Sequence, residues 1–384
     1  LYFVLRCILF PRLRVKYRVK DVDKIEPPFL LLYNHPSKID FAYSMVPLFP
    51  RKVNQIVAYY YFCNYRFGRF LHYMGSFPKF LYHPDLSSMR NIKRVIRAKG
   101  VLGLAPEGRL SAYGCMETLA PATEKLVKHL GVPVVMAKIK GGYLTFPKWA
   151  KNMRRGRVEI EVEEILTAED SKAMNAEEIK AFLEKKLAYD DFKWQEEKRI
   201  RYRGKRFAEG LEHILYICPV CKHEYTFTAK GNLLTCSHCG TEVKLNPYYE
   251  FEANNPLIPK NIRDWYLFQK ETEARNVEKE NYILESRVSL KLPDPDGKGF
   301  KKAGEGVTVL TEKGVTYTGT INGEIRTVHF KIENIPAILF GVNEDFEIYH
   351  DNTLYYFIPE NIRECVKWSV VGEAMYNKYL RDNE

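Results

Sequence analysis

The 384 residues contain no apolar run long enough to span a bilayer. The best candidate, LYFVLRCILF at the start, is about half the roughly 20 residues required and is broken by Arg6. Also missing are a self-similar period, a low-complexity tract and the cysteine density of an oxidised secreted scaffold, since there are only eight Cys in all. Solenoid, fibrous and disordered classes are excluded, and a reducing compartment is expected. What is present is 46% hydrophobic and 28% charged residues, with 14% aromatic. The length fits about two to three domains at roughly 150 residues each.

Negative charge is scarce in one half only. Residues 1–210 hold 39 Lys/Arg against 22 Asp/Glu, a net +17, whereas residues 211–384 carry a net −6. Such an excess calls for a polyanionic partner, nucleic acid or an anionic membrane surface, and composition does not choose between them. At the start, Leu1, Leu5 and Ile8 fall at near-helical spacing, followed by Arg12, Arg14, Lys16, Arg18 and Lys20. Two readings stay open: an interfacial anchor with a basic collar, or a helix and strand packed on the core with a solvated basic edge. Residues 57–83 interleave aromatics with Arg66, Arg69 and Lys79, a pattern suited to base stacking, to the headgroup level of a membrane, or to plain core packing.

Periodicity divides the chain. FLLLYN (29–34) is a continuous apolar run of strand length, and Pro36 is suited to the first turn of a following helix. Helix 87–99, strand 101–106, helix 117–130 and strand 132–141 alternate as in a sheet covered by helices. RRGRVEIEVEEIL (154–166) alternates at period two, and 176–187 is helical. The expectation is an α/β domain over 1–190 with a mixed sheet, a charged helical connector over 191–210, a cysteine-bearing ribbon over 211–250 and a β-rich domain over 251–384. The last has a helix near 259–280, six short β runs separated by turn signals such as Asn322-Gly323, and a final helix near 360–381. By element order this resembles a small pleckstrin-homology-like barrel.

Two motifs carry chemistry in the first domain. His35 and Asp40 form His-x4-Asp directly after the apolar strand, so a base and the carboxylate that fixes its tautomer can face one cleft. PEGRLS (106–111) follows a second strand: Gly108 permits close backbone approach, and Arg109 offers a planar fork for phosphate oxygens. The bland alternatives are a helix cap with a surface His, and a turn with a surface Arg–Glu pair.

Taken in order, these motifs resemble the glycerolipid acyltransferase family, which includes 1-acylglycerol-3-phosphate acyltransferases. NHPSKID is similar to its first block, Gly75-Ser76-Phe77-Pro78 to the second, Pro106-Glu107-Gly108 to the third and Val132-Pro133-Val134-Val135 to the fourth, over roughly residues 1–190. Two positions depart: Leu81 stands where the second block has an arginine, and Arg109 comes one place early in the third. The resemblance implies His35 as base and Asp40 as its partner, with Asn34, Lys79, Glu107, Gly108, Arg109 and Ser111 around the substrate. It implies acyl transfer from a thioester on coenzyme A or acyl carrier protein to a lysophospholipid hydroxyl, 1-acylglycerol 3-phosphate first, at the cytoplasmic membrane face and without a catalytic cofactor. A lysophosphatidylethanolamine-type or glycolipid acceptor is the nearer alternative. An inactive acyltransferase-like domain in a zinc-binding interaction protein is the more distant one.

Cys218-x2-Cys221 and Cys236-x2-Cys239, with 14 residues between the pairs, resemble a zinc ribbon. Four thiolates close a tetrahedral structural site. Lys222, Lys230 and Lys244 are balanced there by Glu212, Glu224 and Glu242, which argues against nucleic acid as the partner. The charge division predicts that residues 1–210 bind anionic vesicles and release them as salt rises, while residues 211–384 bind poorly. Cosedimentation across ionic strength measures this, and nucleic acid outcompeting the vesicles at matched salt would overturn it.

Overall fold

The computed structural model describes residues 2–83 and 85–383. Leu1, the first of the apolar positions expected at helical spacing, lies outside them. The first half is built on a seven-stranded sheet: β1 (Val15–Lys20), β2 (Phe29–Tyr33), β3 (Val53–Ala58), β4 (Phe77–Lys79), β5 (Val101–Leu104), β6 (Val134–Lys140) and β7 (Val158–Leu166). Their order is β1-β7-β6-β2-β5-β3-β4. All pairings are parallel except the antiparallel β6–β7.

The composition of β2 explains its central place. All five of its residues are buried, as a parallel strand covered on both faces requires. Phe29, Leu31 and Tyr33 pack on one face with Tyr43 and Val46, while Leu30 and Leu32 pack on the other with Ile92, Val127, Ile179 and Leu183. Helices Leu86–Arg97, Thr123–Leu130 and Ala176–Leu187 cover that second face.

Two expected helices start late. The helix assigned to begin with Pro36 begins at Asp40, because residues 35–39 are held in a turn by hydrogen bonds to Glu107 and Phe146. The helix expected from residue 117 begins at Thr123, after Pro121 and an Ala122 in the left-handed region. At the N-terminus both readings have a counterpart. Phe10 and Leu13 are buried and β1 forms a basic edge strand, yet Phe3 and Ile8 remain 76% and 60% exposed. No helix among the described residues is long and apolar enough to cross a membrane.

Of the connector residues, Asp191–Lys198 are helical, and Phe192, Trp194 and Tyr202 are buried in the core. The cysteine segment forms four strands, β8 (Phe227–Lys230), β9 (Leu233–Cys236), β10 (Glu242–Leu245) and β11 (Phe251–Glu252). Next come helix Ile262–Asn276 and seven antiparallel strands: β12 (Leu284–Pro293), β13 (Phe300–Thr311), β14 (Gly314–Ile321), β15 (Glu324–Lys331), β16 (Leu339–Gly341), β17 (Asp345–His350) and β18 (Thr353–Pro359). They run in the order β15-β14-β13-β12-β18-β17-β16, and helix Glu364–Asp382 packs on β16 to β18. β16 is the strand that the six apolar runs did not contain.

The core does not break at the segment boundaries. One apolar cluster runs from Tyr143 and Trp149 through Phe192, Leu234 and Trp265 to Phe346 and Trp368. Polar contacts follow the same path: Trp265 Nε1 donates to the Ile217 carbonyl (2.9 Å), and Gln269 Oε1 accepts from the Tyr216 and Ile217 amides.

Candidate active site

β2 and β5 are parallel neighbours in register, Leu32 opposite Leu104, so the loops that follow them leave the same edge of the sheet side by side. In open α/β sheets that edge, at the carboxyl ends of the strands, is where ligands bind. His35 follows β2 and Glu107 follows β5.

His35 Nδ1 lies 2.6 Å from Asp40 Oδ2, the imidazole 29% exposed and the carboxyl side chain 4%. Asp40 Oδ2 also accepts from the Ser37 amide at 3.3 Å. A carboxylate only accepts, so the neutral ring carries its proton on Nδ1 and leaves the Nε2 lone pair free to take one. Burial works to lower the His35 pKa, but the charge and hydrogen bond of Asp40, with Glu107 behind them, outweigh it and raise it. The arrangement suits a general base.

The other expected residues are placed less uniformly. Asn34 does not face the cleft: its side chain donates to the Ile139 carbonyl (2.8 Å) and accepts from the Ile139 amide (2.7 Å), pinning β2 to β6. Glu107 is 1% exposed, and its two oxygens accept from the amides of His35 (2.8 Å) and Glu117 (2.7 Å). Burial pushes it up to about 8 against the pull of those two amides. Gly108 has φ 66°, and a Cβ there would come 3.2 Å from the Tyr82 hydroxyl, so the position suits glycine on both counts. Ser111 is buried; its amide donates to the His35 carbonyl (3.0 Å) and its hydroxyl to the Cys115 carbonyl (2.7 Å).

One nitrogen of the Arg109 fork is already committed. Nη2 contacts Glu117 and Glu373, each at 2.7 Å, and Lys270 holds the other Glu373 oxygen at 2.6 Å. Lys79 is half-buried at the end of β4, and burial lowers its pKa against the charge of Asp85. Lys148 also belongs to this edge. Phe146 stitches its loop to the His35 loop, its carbonyl accepting from the Lys38 amide (3.1 Å) and the Ser37 hydroxyl (3.2 Å).

Glu117, Lys148 and Glu373 were not anticipated. For Lys148 a signal existed: a lone lysine between Pro147 and Trp149, ending an otherwise apolar GGYLTFP run. Glu117 and Glu373 are unmarked in sequence, because only the tertiary fold brings them to Arg109.

The β-rich domain meets this edge directly. Tyr60 stacks against both Phe300 (ring centroids 5.4 Å) and Tyr356 (6.2 Å), the Tyr65 amide donates to the Gly297 carbonyl (2.7 Å), and His83 Nε2 lies 2.5 Å from the Tyr349 carbonyl. Part of the aromatic segment 57–83 therefore forms a seam with the C-terminal strands. The rest is outward: Tyr65, Phe67, Phe70 and Tyr73 are 59%, 45%, 48% and 89% exposed on helix Tyr65–Tyr73.

The four expected metal ligands do converge. The sulfurs of Cys218, Cys221, Cys236 and Cys239 all lie within 4.8 Å of one another, with 218–239 at 3.8 Å and 221–236 at 3.9 Å. A tetrahedral ion holding thiolates at about 2.3 Å sets sulfurs about 3.8 Å apart, so the donor set fits. His223 and His238 stack on each other, ring centroids 3.4 Å apart, beside Cys221.

No protein-family profile and no curated protein matches the chain. Among solved structures it is similar to the 1-acyl-sn-glycerophosphate (LPA) acyltransferase PlsC from Thermotoga maritima, at 20% identity and a TM-score of 0.40, over 49% of this chain and 75% of that one.

Metal analysis of freshly prepared, reduced protein should return about one ion per chain; none would dismiss the cysteine site. Arg109→Ala leaves Glu117 and Glu373 buried without the guanidinium, so it should destabilise the fold by about 3 kcal/mol, read as a lower urea midpoint. An unchanged midpoint would mean the pair carries no structural load.

Proposed function

We propose that the chain transfers a fatty acyl group from a thioester, on coenzyme A or acyl carrier protein, to the free hydroxyl of a lysophospholipid, with 1-acylglycerol 3-phosphate as the first acceptor. The observation that carries this reading is the 2.6 Å His35–Asp40 pair at the carboxyl end of a central parallel strand, tied through Glu107 to the Pro-Glu-Gly loop. His35 Nε2 takes the acceptor's hydroxyl proton as that oxygen attacks the thioester carbonyl. The C–S bond then breaks, and the thiolate leaves with the proton returned by the imidazolium. Asp40 holds the tautomer and balances the imidazolium charge.

The rest of the molecule fits this reading. Exposed Phe3, Ile8, Phe67, Phe70 and Tyr73 lie on segments rich in Arg and Lys, the composition of a surface that docks on the cytoplasmic face of an anionic membrane. The four cysteines take a structural zinc. In the C-terminal domain, the antiparallel strand order and the closing helix support a pleckstrin-homology-like barrel.

The test is an acceptor panel with labelled acyl thioester and product identification by mass spectrometry. His35→Ala should lower kcat by about 10²–10⁴ with the fold intact. Asp40→Asn should also damage turnover. It should move the rising limb of the pH–rate profile to lower pH, because it removes the charge that raises the His35 pKa. Near-normal turnover by folded His35→Ala would end this mechanism.

A further inference from the structure

The Pro-Glu-Gly loop brings a guanidinium to the site and commits one of its nitrogens to two carboxylates. Arg109 is 9% exposed, and two carboxylates meet it at 2.7 Å. An acceptor phosphate bound through Nη2 would have to displace Glu117 or Glu373 and leave a buried carboxylate unpaired. A second cation reaches the same edge without that obstacle.

Lys148 is held in place by its neighbours. Trp149 and Ala150 are 2% and 1% exposed, Trp149 Nε1 donates to the Tyr143 hydroxyl (2.8 Å), and the Phe146 carbonyl is fixed by Ser37 and Lys38 of the His35 loop. Lys148 Nζ sits 3.5 Å above the Phe340 ring of β16. Among the described residues this ammonium has no hydrogen bond and no ion pair within 4.0 Å. Its three N–H donors are strong, and the apolar ring satisfies none of them.

The electrostatics agree with the geometry. The Lys148 charge opposes protonation of His35, so the two groups share one field. Burial lowers the Lys148 pKa to about 8, leaving it mostly cationic near neutrality, with Glu117 favouring the charge and Arg109 opposing it. Asp345 and Glu347 on β17 also favour the Lys148 charge, and burial pushes both of these carboxyls up.

We propose that Lys148, rather than Arg109, is the cation that binds the phosphate monoester of the acceptor and so sets its position against His35. Phe340 of the C-terminal domain forms the wall that keeps this cation poorly hydrated. The inference rests on the acyl-transfer reading above and names the substrate-anchoring residue within it.

The test uses the full chain carrying Lys148→Met, which keeps the unbranched side chain one atom shorter and removes its charge, with Lys148→Arg as the conservative variant. Loss of one charge-assisted contact should raise the KM for 1-acylglycerol 3-phosphate about 10- to 100-fold, with kcat changed far less. Lys148→Arg should restore most of it. Monoacylglycerol, which lacks the phosphate, should be used equally well by wild type and Lys148→Met. Inorganic phosphate should compete with the lysophospholipid in wild type and lose that effect in Lys148→Met.

A raised KM for the thioester in place of the acceptor would assign Lys148 to the donor and overturn the proposal. So would an unchanged acceptor KM in a variant that melts normally and keeps His35-dependent turnover. Absence of transfer to any acceptor by the wild type is a different result, and it removes the acyl-transfer reading itself. Should Lys148→Met not fold, titration of 1-acylglycerol 3-phosphate into His35→Ala and His35→Ala/Lys148→Gln decides the matter. Weaker binding by the glutamine variant supports the anchor, and equal binding by both overturns it.

Discussion

Glu107 is the joint on which the geometry of this edge depends. A buried carboxylate that accepts from the amides of His35 and Glu117 fixes the loop after β2 against the loop after β5. Each of those amides, left without an acceptor, would cost about 1–3 kcal/mol. With them satisfied, the His35 carbonyl is in place for the Ser111 amide, and Glu117 is presented to Arg109. Arg109 passes the connection to Glu373, and Glu373 to Lys270. A run of polar contacts thus leads from the His35 loop to the C-terminal helix.

That run lies beside an apolar core that is continuous from Tyr143 to Trp368. The two kinds of contact do different work. The core supplies cohesion without direction, since burial is proportional to area. Ion pairs and amide acceptors supply register, because they hold only at one distance and angle. Phe346 stacked on Trp368 at 4.4 Å sets the depth of the C-terminal helix, and Glu373 then fixes its rotation against the first domain.

Local rules carried much of the reading. The span 176–187 was placed within the helix observed, because Asn175 and Glu178 form a reciprocal cap readable from spacing alone. The apolar run of β2 admitted one place, the middle of a parallel sheet. His-x4-Asp and the paired cysteines were legible because five- and three-residue separations allow few geometries. What spacing cannot tell is whether a polar side chain looks outward or back at the chain. Asn34, Glu107 and Ser111 all look back, and each serves a backbone group that sequence does not display. Arg109 reads as free in the sequence for the same reason, since the carboxylates that meet it come from residues 117 and 373. β16 escaped notice because three residues give no period.

The contact between Arg109 and Glu373 spans 264 positions of the chain. At translation rates of about 5–20 residues per second, Arg109 has been synthesised for roughly 13 to 53 seconds before its partner exists. During that interval the first half carries a guanidinium whose second carboxylate is missing, together with the side chains of Tyr143 and Trp149, whose cluster is completed from later residues. The sheet is complete by β7, yet the ion pair that ties its edge to helix Glu364–Asp382 waits for residue 373.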